Sequence, residues 1–325
     1  MADYKTIHGI KVKSYTTDPD NIIEGQVWYD KTNKVLQFET PNVTSAGAWR
    51  TQTSLNTARD QIAGAGSTTS ALVFGENFGG ETELFNGSTF SEQNDLNTSR
   101  RALAGAGASG TAALAFGGNL ASPSPNAAAD VTENFNGTSW TEVGDLNQAR
   151  SFPGGTGTNT AALCFGGSTG AGTNPPITAE NESWNGTSWT ELGDLNSPRN
   201  SLGDAGTTTS ALAFGGSGPT AATESWNGSA WTEVADLNTA RLAVGGAGAS
   251  NTEAVAFGGP SSSALTELYN GTSWSETGDL SNGRGFMGST KGSSTAALAM
   301  GGSDSVHVES FQGPGANSPV DFTLS

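Results

Sequence analysis

One phrase, Asp-Leu-Asn-x-x-Arg or a near copy of it, recurs six times, and nothing else in the chain constrains its fold as tightly. The copies read TSLNTAR, NDLNTSR, GDLNQAR, GDLNSPR, ADLNTAR and GDLSNGR, and end at Arg59, Arg100, Arg150, Arg199, Arg241 and Arg284. Ten residues before each arginine stands an aromatic: Trp49, Phe90, Trp140, Trp189, Trp231 and Trp274. Fifteen or sixteen residues after it comes a bulky residue followed by glycine: Phe74, Phe116, Phe165, Phe214, Phe257 and Met300. The arginine-to-arginine step averages 45 residues. A period of that length marks a blade-sized unit that cannot bury its own faces and must stack on neighbours.

Each repeat reads as four short strands with no helical period. A Gly/Ala strand such as ALAGAGAS comes first, then a small-and-apolar strand ending in glycine, such as TAALAFGG. The third carries a glutamate and an aromatic, as in TENFNG, and the fourth runs SWTEVGDL. The third-strand glutamates are Glu83, Glu133, Glu182, Glu224, Glu267 and Glu309. Asn-Gly between the third and fourth strands (for example Asn136-Gly137) predicts a two-residue type I′ hairpin turn. The Gly/Ala strand suits the centre of a propeller, where blades converge and large side chains do not fit. The expected fold is therefore all-β: a six-bladed β-propeller with four-stranded blades.

Composition alone points elsewhere. Charged residues make up 14%, glycine numbers 46, and the formal net charge is −17, a combination that leans toward disorder. The repeat overrides it, because low aliphatic content follows from the crowded axis. No stretch approaches 18 consecutive apolar residues, so no membrane insertion is expected. The start, MADYKTIHGIKVK, lacks the apolar run of a secretory signal. The acidic balance argues against a nucleic-acid partner. One cysteine allows no intrachain disulfide and no zinc-cysteine cluster.

The ends of the chain settle the closure. Trp49 to Leu55 is a fourth strand with no first or second strand before it. The blade opened by Arg284 has a third strand, VESFQG, but alanine at 316 where its tryptophan should stand. Joining the two completes the sixth blade and removes exposed strand edges. A competing reading lets Lys34-Val35-Leu36-Gln37-Phe38 supply the third strand of that blade. The domain reading is an arm with a β-hairpin over 1–46, the propeller over 47–313, and a tail over 314–325 too rich in Gly, Pro and Ser to be strand throughout. Five of the six lysines lie in the arm (Lys5, Lys11, Lys13, Lys31, Lys34), which suits attachment to an acidic neighbour.

These features resemble kelch-type β-propeller repeats: glycines ending strand two, an aromatic on strand three, tryptophan on strand four, arginine opening the next blade. The match covers residues 49–313. The phrases ESWNGTSWTEVGDLNTAR and TAALAFGG, and the opening MADYKTIHGIKVKS with EGQVWYDKTNKVLQF, are similar to kelch-like and virion proteins encoded by marine bacteriophages. The resemblance implies a virion protein of tail or fibre type. Its expected partners are other virion proteins through the arm, further copies of itself, and a host surface glycan or receptor. The alternative is a capsid decoration or assembly scaffold without a receptor role, and a carbohydrate-active enzyme ranks below both.

Catalytic readings find little purchase. A copper site of the galactose-oxidase type would need histidines and tyrosines that converge, whereas His8 and His307 lie outside the regular phrases. Cys164 replaces a repeat alanine and reads as a small buried residue. No triad, metal spacing or phosphate loop emerges, so the expectation is no enzyme, no cofactor and no metal. The arginine ring could hold an anion, but ion pairing with the third-strand glutamates and with the aspartates before leucine accounts for it better. The fixed spacing of Trp49, Trp140, Trp189, Trp231 and Trp274 marks packing between blades.

One irregularity points to a binding face. From the bulky residue to the glutamate takes 17 residues in blades two and three against 9 or 10 in the four others. The insertions crown the face that carries the arginine phrases and offer Asn119, Leu120, Ser122, Ser124, Asn126 and Asp130, with Ser168, Thr169, Thr173, Asn174 and Thr178, as contact residues.

Overall fold

The computed structural model describes residues 13–15, 27–30, 35–39, 46–76, 79–121, 127–170, 175–260, 262–314 and 319–322. They form an all-β protein, with no helix among the described residues. The chain divides into two compact units, Gly47–Gly313 and a second made of Met1–Ala46 with Pro314–Ser325.

The larger unit is a six-bladed propeller of four-stranded antiparallel blades. Blade one consists of Ala63–Ser67, Ser70–Glu76, Gly79–Phe85 and Phe90–Glu92, and blade two of Ala104–Ser109, Ala112–Phe116, Thr132–Phe135 and Trp140–Glu142. Blade three is Gly154–Gly157, Ala162–Phe165, Asn181–Trp184 and Trp189–Glu191; blade four is Gly203–Thr207, Ser210–Phe214, Thr223–Trp226 and Trp231–Glu233. Blade five is Gly245–Ser250, Glu253–Phe257, Thr266–Tyr269 and Trp274–Glu276. Blade six takes Gly288–Ser289, Ala296–Met300 and Val308–Gln312 from late in the chain and Ala48–Thr51 from before blade one, with Trp49 opposite Phe311. Chain start and chain end therefore share one sheet. Val35–Glu39 lies in the other unit, so the competing source for the third strand falls away.

The second strand explains the packing. It is buried on both faces, and its residues alternate small and large. In blade two, Ala113 and Ala115 face Leu72 and Phe74 of blade one, while Leu114 and Phe116 face Ala162 and Cys164 of blade three. Large residues of one blade thus fill the space that alanines leave in the next, and six such seams close the ring. The fourth-strand aromatic completes each seam. Trp140 packs edge-on against Phe74 at 4.9 Å, Trp231 against Phe165 at 5.0 Å, and Trp274 against Phe214 at 5.1 Å. The glycines after strand two are required by backbone shape. At Gly117 φ is +66°, and an added Cβ would lie 2.7 Å from the Arg150 carbonyl of the following connection.

The Asn-Gly turns differ from the expected type. No asparagine of these turns has positive φ, and Phe135 pairs with Trp140, so four residues make the loop. The Asn136 side chain accepts from the N–H groups of Thr138 and Ser139, both at 3.0 Å, and Gly137 alone takes the left-handed conformation. A longer loop lets the asparagine side chain do what positive φ would do in a two-residue turn.

The smaller unit is a four-stranded sheet in the order Lys13–Tyr15, Val27–Asp30, Val35–Glu39, Pro319–Phe322. The central pair is the antiparallel hairpin read from the sequence. Two strands were not foreseen: Lys13–Tyr15 pairs in parallel with Val27–Asp30, and Pro319–Phe322 pairs antiparallel with Val35–Glu39. The tail is not separate from the arm. Its proline opens an outer strand, where no ladder donor is needed.

Candidate functional site

All six repeat arginines are buried, and each pairs with the third-strand glutamate of the blade it opens. Arg199 meets Glu224 at 2.7 Å and Arg241 meets Glu267 at 2.9 Å. The guanidinium also donates to carbonyls at the end of strand two and the start of strand three, as Arg241 does to Gly258 at 3.1 Å and Leu265 at 2.6 Å. The second glutamate oxygen accepts from the connecting phrase: Asn238 donates to Glu267 through its backbone at 2.7 Å and through its side chain at 2.8 Å. The same side chain reaches the Trp274 carbonyl at 3.2 Å. Burial drags the Arg100 guanidinium down to about 10, which still leaves it charged at neutral pH. The aspartates before leucine, by contrast, do not join these pairs. Asp145, Asp236 and Asp279 instead accept the N–H of Thr132, Thr223 and Thr266, which open strand three of the preceding blade. Each of these phrases clips two blades together, aspartate to one and Asn147, Asn238 or Ser281 to the next. The arginines are spent in the fold and do not line the axial cavities.

The fourth-strand tryptophans are buried in the seams, and three of the five also bond across them, the Trp231 and Trp274 indole N–H groups having no acceptor among the described residues. Trp140, Trp189 and Trp49 donate their indole N–H, each at 3.0 Å, to Thr82, Thr132 and Thr266 of the neighbouring blade. Cys164 lies in a seam, where burial pushes its thiol up to about 12 and removes the thiolate that reactivity needs.

The long loops of blades two and three lie side by side, joined by a hydrogen bond from Ala128 N–H to the Gly170 carbonyl at 3.2 Å. Their roots are built into the phrase-bearing face. Asn119 and Leu120 form a short ladder with Arg101 and Arg100, and Ser168 exchanges backbone bonds with Ser151 at 2.8 and 2.9 Å. Asn119 and Ser168 are buried, and the Ser168 hydroxyl accepts from Asn200, so these two hold the loops in place and offer no surface. Leu120, Thr169 and Thr178 are half-buried, and Asp130 is exposed. Ser122, Ser124, Asn126, Thr173 and Asn174 lie outside the described residues. Ile177, 44% exposed, stands on the same loop and was passed over in sequence reasoning because it breaks no repeat position.

The axis carries a second arrangement. Two residues after each arginine, the chain turns through positive φ: Gln61, Ala102, Phe152, Ser201, Ala243 and Phe286, with φ from 53° to 56°. Such residues cost roughly 1–3 kcal/mol each when not glycine. Here a belt of backbone bonds holds them, as each N–H from Ala102 to Phe286 donates to the carbonyl of the equivalent residue in the preceding blade. The rings of Phe152 and Phe286, from opposite blades, meet at 5.7 Å across the axis. Beneath them a small cavity of about 80 Å³ reaches Asp204 and Lys291, whose side chains bond at 2.7 Å. On the opposite face the axis opens into a funnel of about 340 Å³ that also touches Lys291.

No protein-family model matches this chain, and no curated protein sequence matches it.

Proposed function

We propose that the chain is a non-enzymatic structural protein of a bacteriophage particle, a kelch-type propeller carried as a tail or fibre appendage. Its phrase-bearing face contacts a host-surface glycan or receptor, or a neighbouring subunit. The observation that carries this reading is the pair of long loops, rooted in buried backbone bonds and hydrogen-bonded to each other, on blades two and three only. Loops set on a rigid scaffold are where binding residues gather. The buried charges speak in the same direction: the third-strand glutamates are held by arginines and are poor candidates for proton transfer.

A decoration or scaffolding role without a receptor is the second reading. It is favoured by the burial of Asn119 and Ser168, which removes two of the loop residues from any contact surface, and by the scarcity of charge in the loop sequences. Shortening both loops to the length found in blade four and measuring binding of the labelled protein to a glycan array and to cells separates the two. Lost binding supports recognition through the loops; binding that persists unchanged removes them from the account. Failure of the unaltered protein to bind favours decoration.

A further inference from the structure

Along the first strands, glycine dominates the positions at two levels of the axis. Gly64, Gly105, Gly155 and Gly246 occupy one level, with Asp204 and Ser289 in the other two blades, and Gly66, Gly107, Gly157 and Gly206 stand at the next. Asp204 and Lys291 are the charged interruptions, and they come from blades four and six, which are not adjacent. Their side chains are 12% and 8% exposed. Asp204 uses both oxygens, one on the Lys291 ammonium and the other on the Gly155 N–H at 3.2 Å. Lys291 is less fully spent. An ammonium carries three donors, and Asp204 is its only hydrogen-bond acceptor among the described residues. Two donors of a nearly buried cation that lines both axial cavities therefore have no acceptor among the described residues, and an unmet donor is costly.

The funnel beyond it is shaped to supply the acceptor. Its volume of about 340 Å³ falls at the small end of ligand sites, which run roughly 300–1,000 Å³. Glycine backbone, Ala108 and Ala249 give the wall a C–H surface, and Ser67, Thr158 and Ser293 place hydroxyls on it. An anion there would meet a lysine whose charge Asp204 already balances, within a chain of net charge −17, an arrangement Coulomb repulsion opposes. A neutral molecule with apolar C–H faces and several oxygens meets every requirement at once.

We propose that this funnel binds one uncharged sugar residue, with a ring hydroxyl oxygen accepting from Lys291 and the sugar's C–H face lying on the glycine and alanine wall. The site is on the face opposite the joined loops and does not depend on the role proposed for them. The test is calorimetry and saturation-transfer NMR on the full chain. The probes are methyl glycosides of glucose, galactose, mannose and N-acetylglucosamine, with galacturonate and sulfate for comparison. At least one neutral glycoside is expected to bind saturably, and Lys291→Met to weaken it at least tenfold. Ala108→Trp at the exposed rim is expected to abolish binding with an unchanged melting temperature, and loop shortening to leave it intact. Absence of binding by all four glycosides, tighter binding of galacturonate or sulfate, or full affinity in a folded Ala108→Trp protein would overturn the proposal.

Discussion

Five of the six blade seams share one aromatic packing, and the sixth, where blade six meets blade one, does not. In the five, a phenylalanine of one blade meets a fourth-strand tryptophan of the next, and alanine or cysteine lies opposite. At the sixth, Met300 takes the place of phenylalanine, Phe90 that of tryptophan, and Val73 that of alanine. The volume lost from the indole is recovered in part by the valine, so the seam stays filled by different means. It also lacks the indole bond to a threonine, since Phe90 has no N–H to give, whereas the two seams on either side of it carry that bond through Trp49 and Trp140. The seam between the last and first blades is therefore packed by shape alone, and the seams of Trp231 and Trp274, whose indole N–H groups find no acceptor among the described residues, share that lack. The clip inside each blade, arginine to glutamate, is the same at all six positions. The repeat conserves the blade more strictly than the contact between blades.

The largest effect should come from the feature shared by all blades. Arg199→Met leaves Glu224 charged and buried, and should cost about 3–5 kcal/mol in denaturant unfolding. Arg59→Met, beside the odd seam, should cost the same within error; a much smaller loss there would show that the clip works across seams and not within blades. Next comes aromatic packing. Phe214→Ala in a regular seam should cost about 3–5 kcal/mol, and Met300→Ala about 2–5 kcal/mol, with the regular seam the more sensitive. Equal losses would erase the distinction between the two kinds of seam. A finer test is the cycle of Val73→Ala with Phe90→Trp, which converts the sixth seam toward its neighbours. The two changes should couple by about 1–2 kcal/mol in the favourable sense, and additivity would show that the two side chains do not share one space.

The smallest effect concerns pH and blade one alone. Burial, then a hydrogen bond and repulsion from Glu81, raise the Glu76 carboxyl to about 7, against a counter-pull from Arg59 and a smaller push from Asp95. A folded pKa above the unfolded one means the folded state holds the proton more tightly. That contribution is complete below the ordinary carboxyl range and is lost as pH rises through about 7. The melting temperature should fall between pH 6 and 8, and Glu76→Gln should flatten the slope. An unchanged slope would place the pH response elsewhere.

The repeat made the blades, their number and their closure readable, because each feature recurs at a fixed distance from an arginine. The pairing of each arginine with a third-strand glutamate, Arg199 with Glu224 among them, and the packing role of the tryptophans are legible from that spacing. Where a residue is not repeated, reading failed for a physical reason. Asp204 and Lys291 each stand where most other blades carry glycine, a visible signal, but only the ring brings their side chains, from blades four and six, within 2.7 Å. The aspartates before leucine were assigned to the arginines because charge suggests a partner, and backbone N–H groups, which leave no mark in a sequence, won them instead. Pro319–Phe322 was read as tail because its neighbours are rich in turn residues, and pairing with Val35–Glu39 is a contact too distant in the chain for local pattern to reveal.

The claim beneath the rest is that Ala48–Thr51 and Val308–Gln312 close the ring as neighbours in one sheet. Cysteines at Arg50 and Ser310, which face each other across that pair, have the strand spacing that a disulfide accepts. Mild oxidation of the folded Arg50→Cys, Ser310→Cys protein should form the bond nearly completely and raise the melting temperature above that of the reduced form. Two free, separately reactive thiols in the folded protein would contradict the closure.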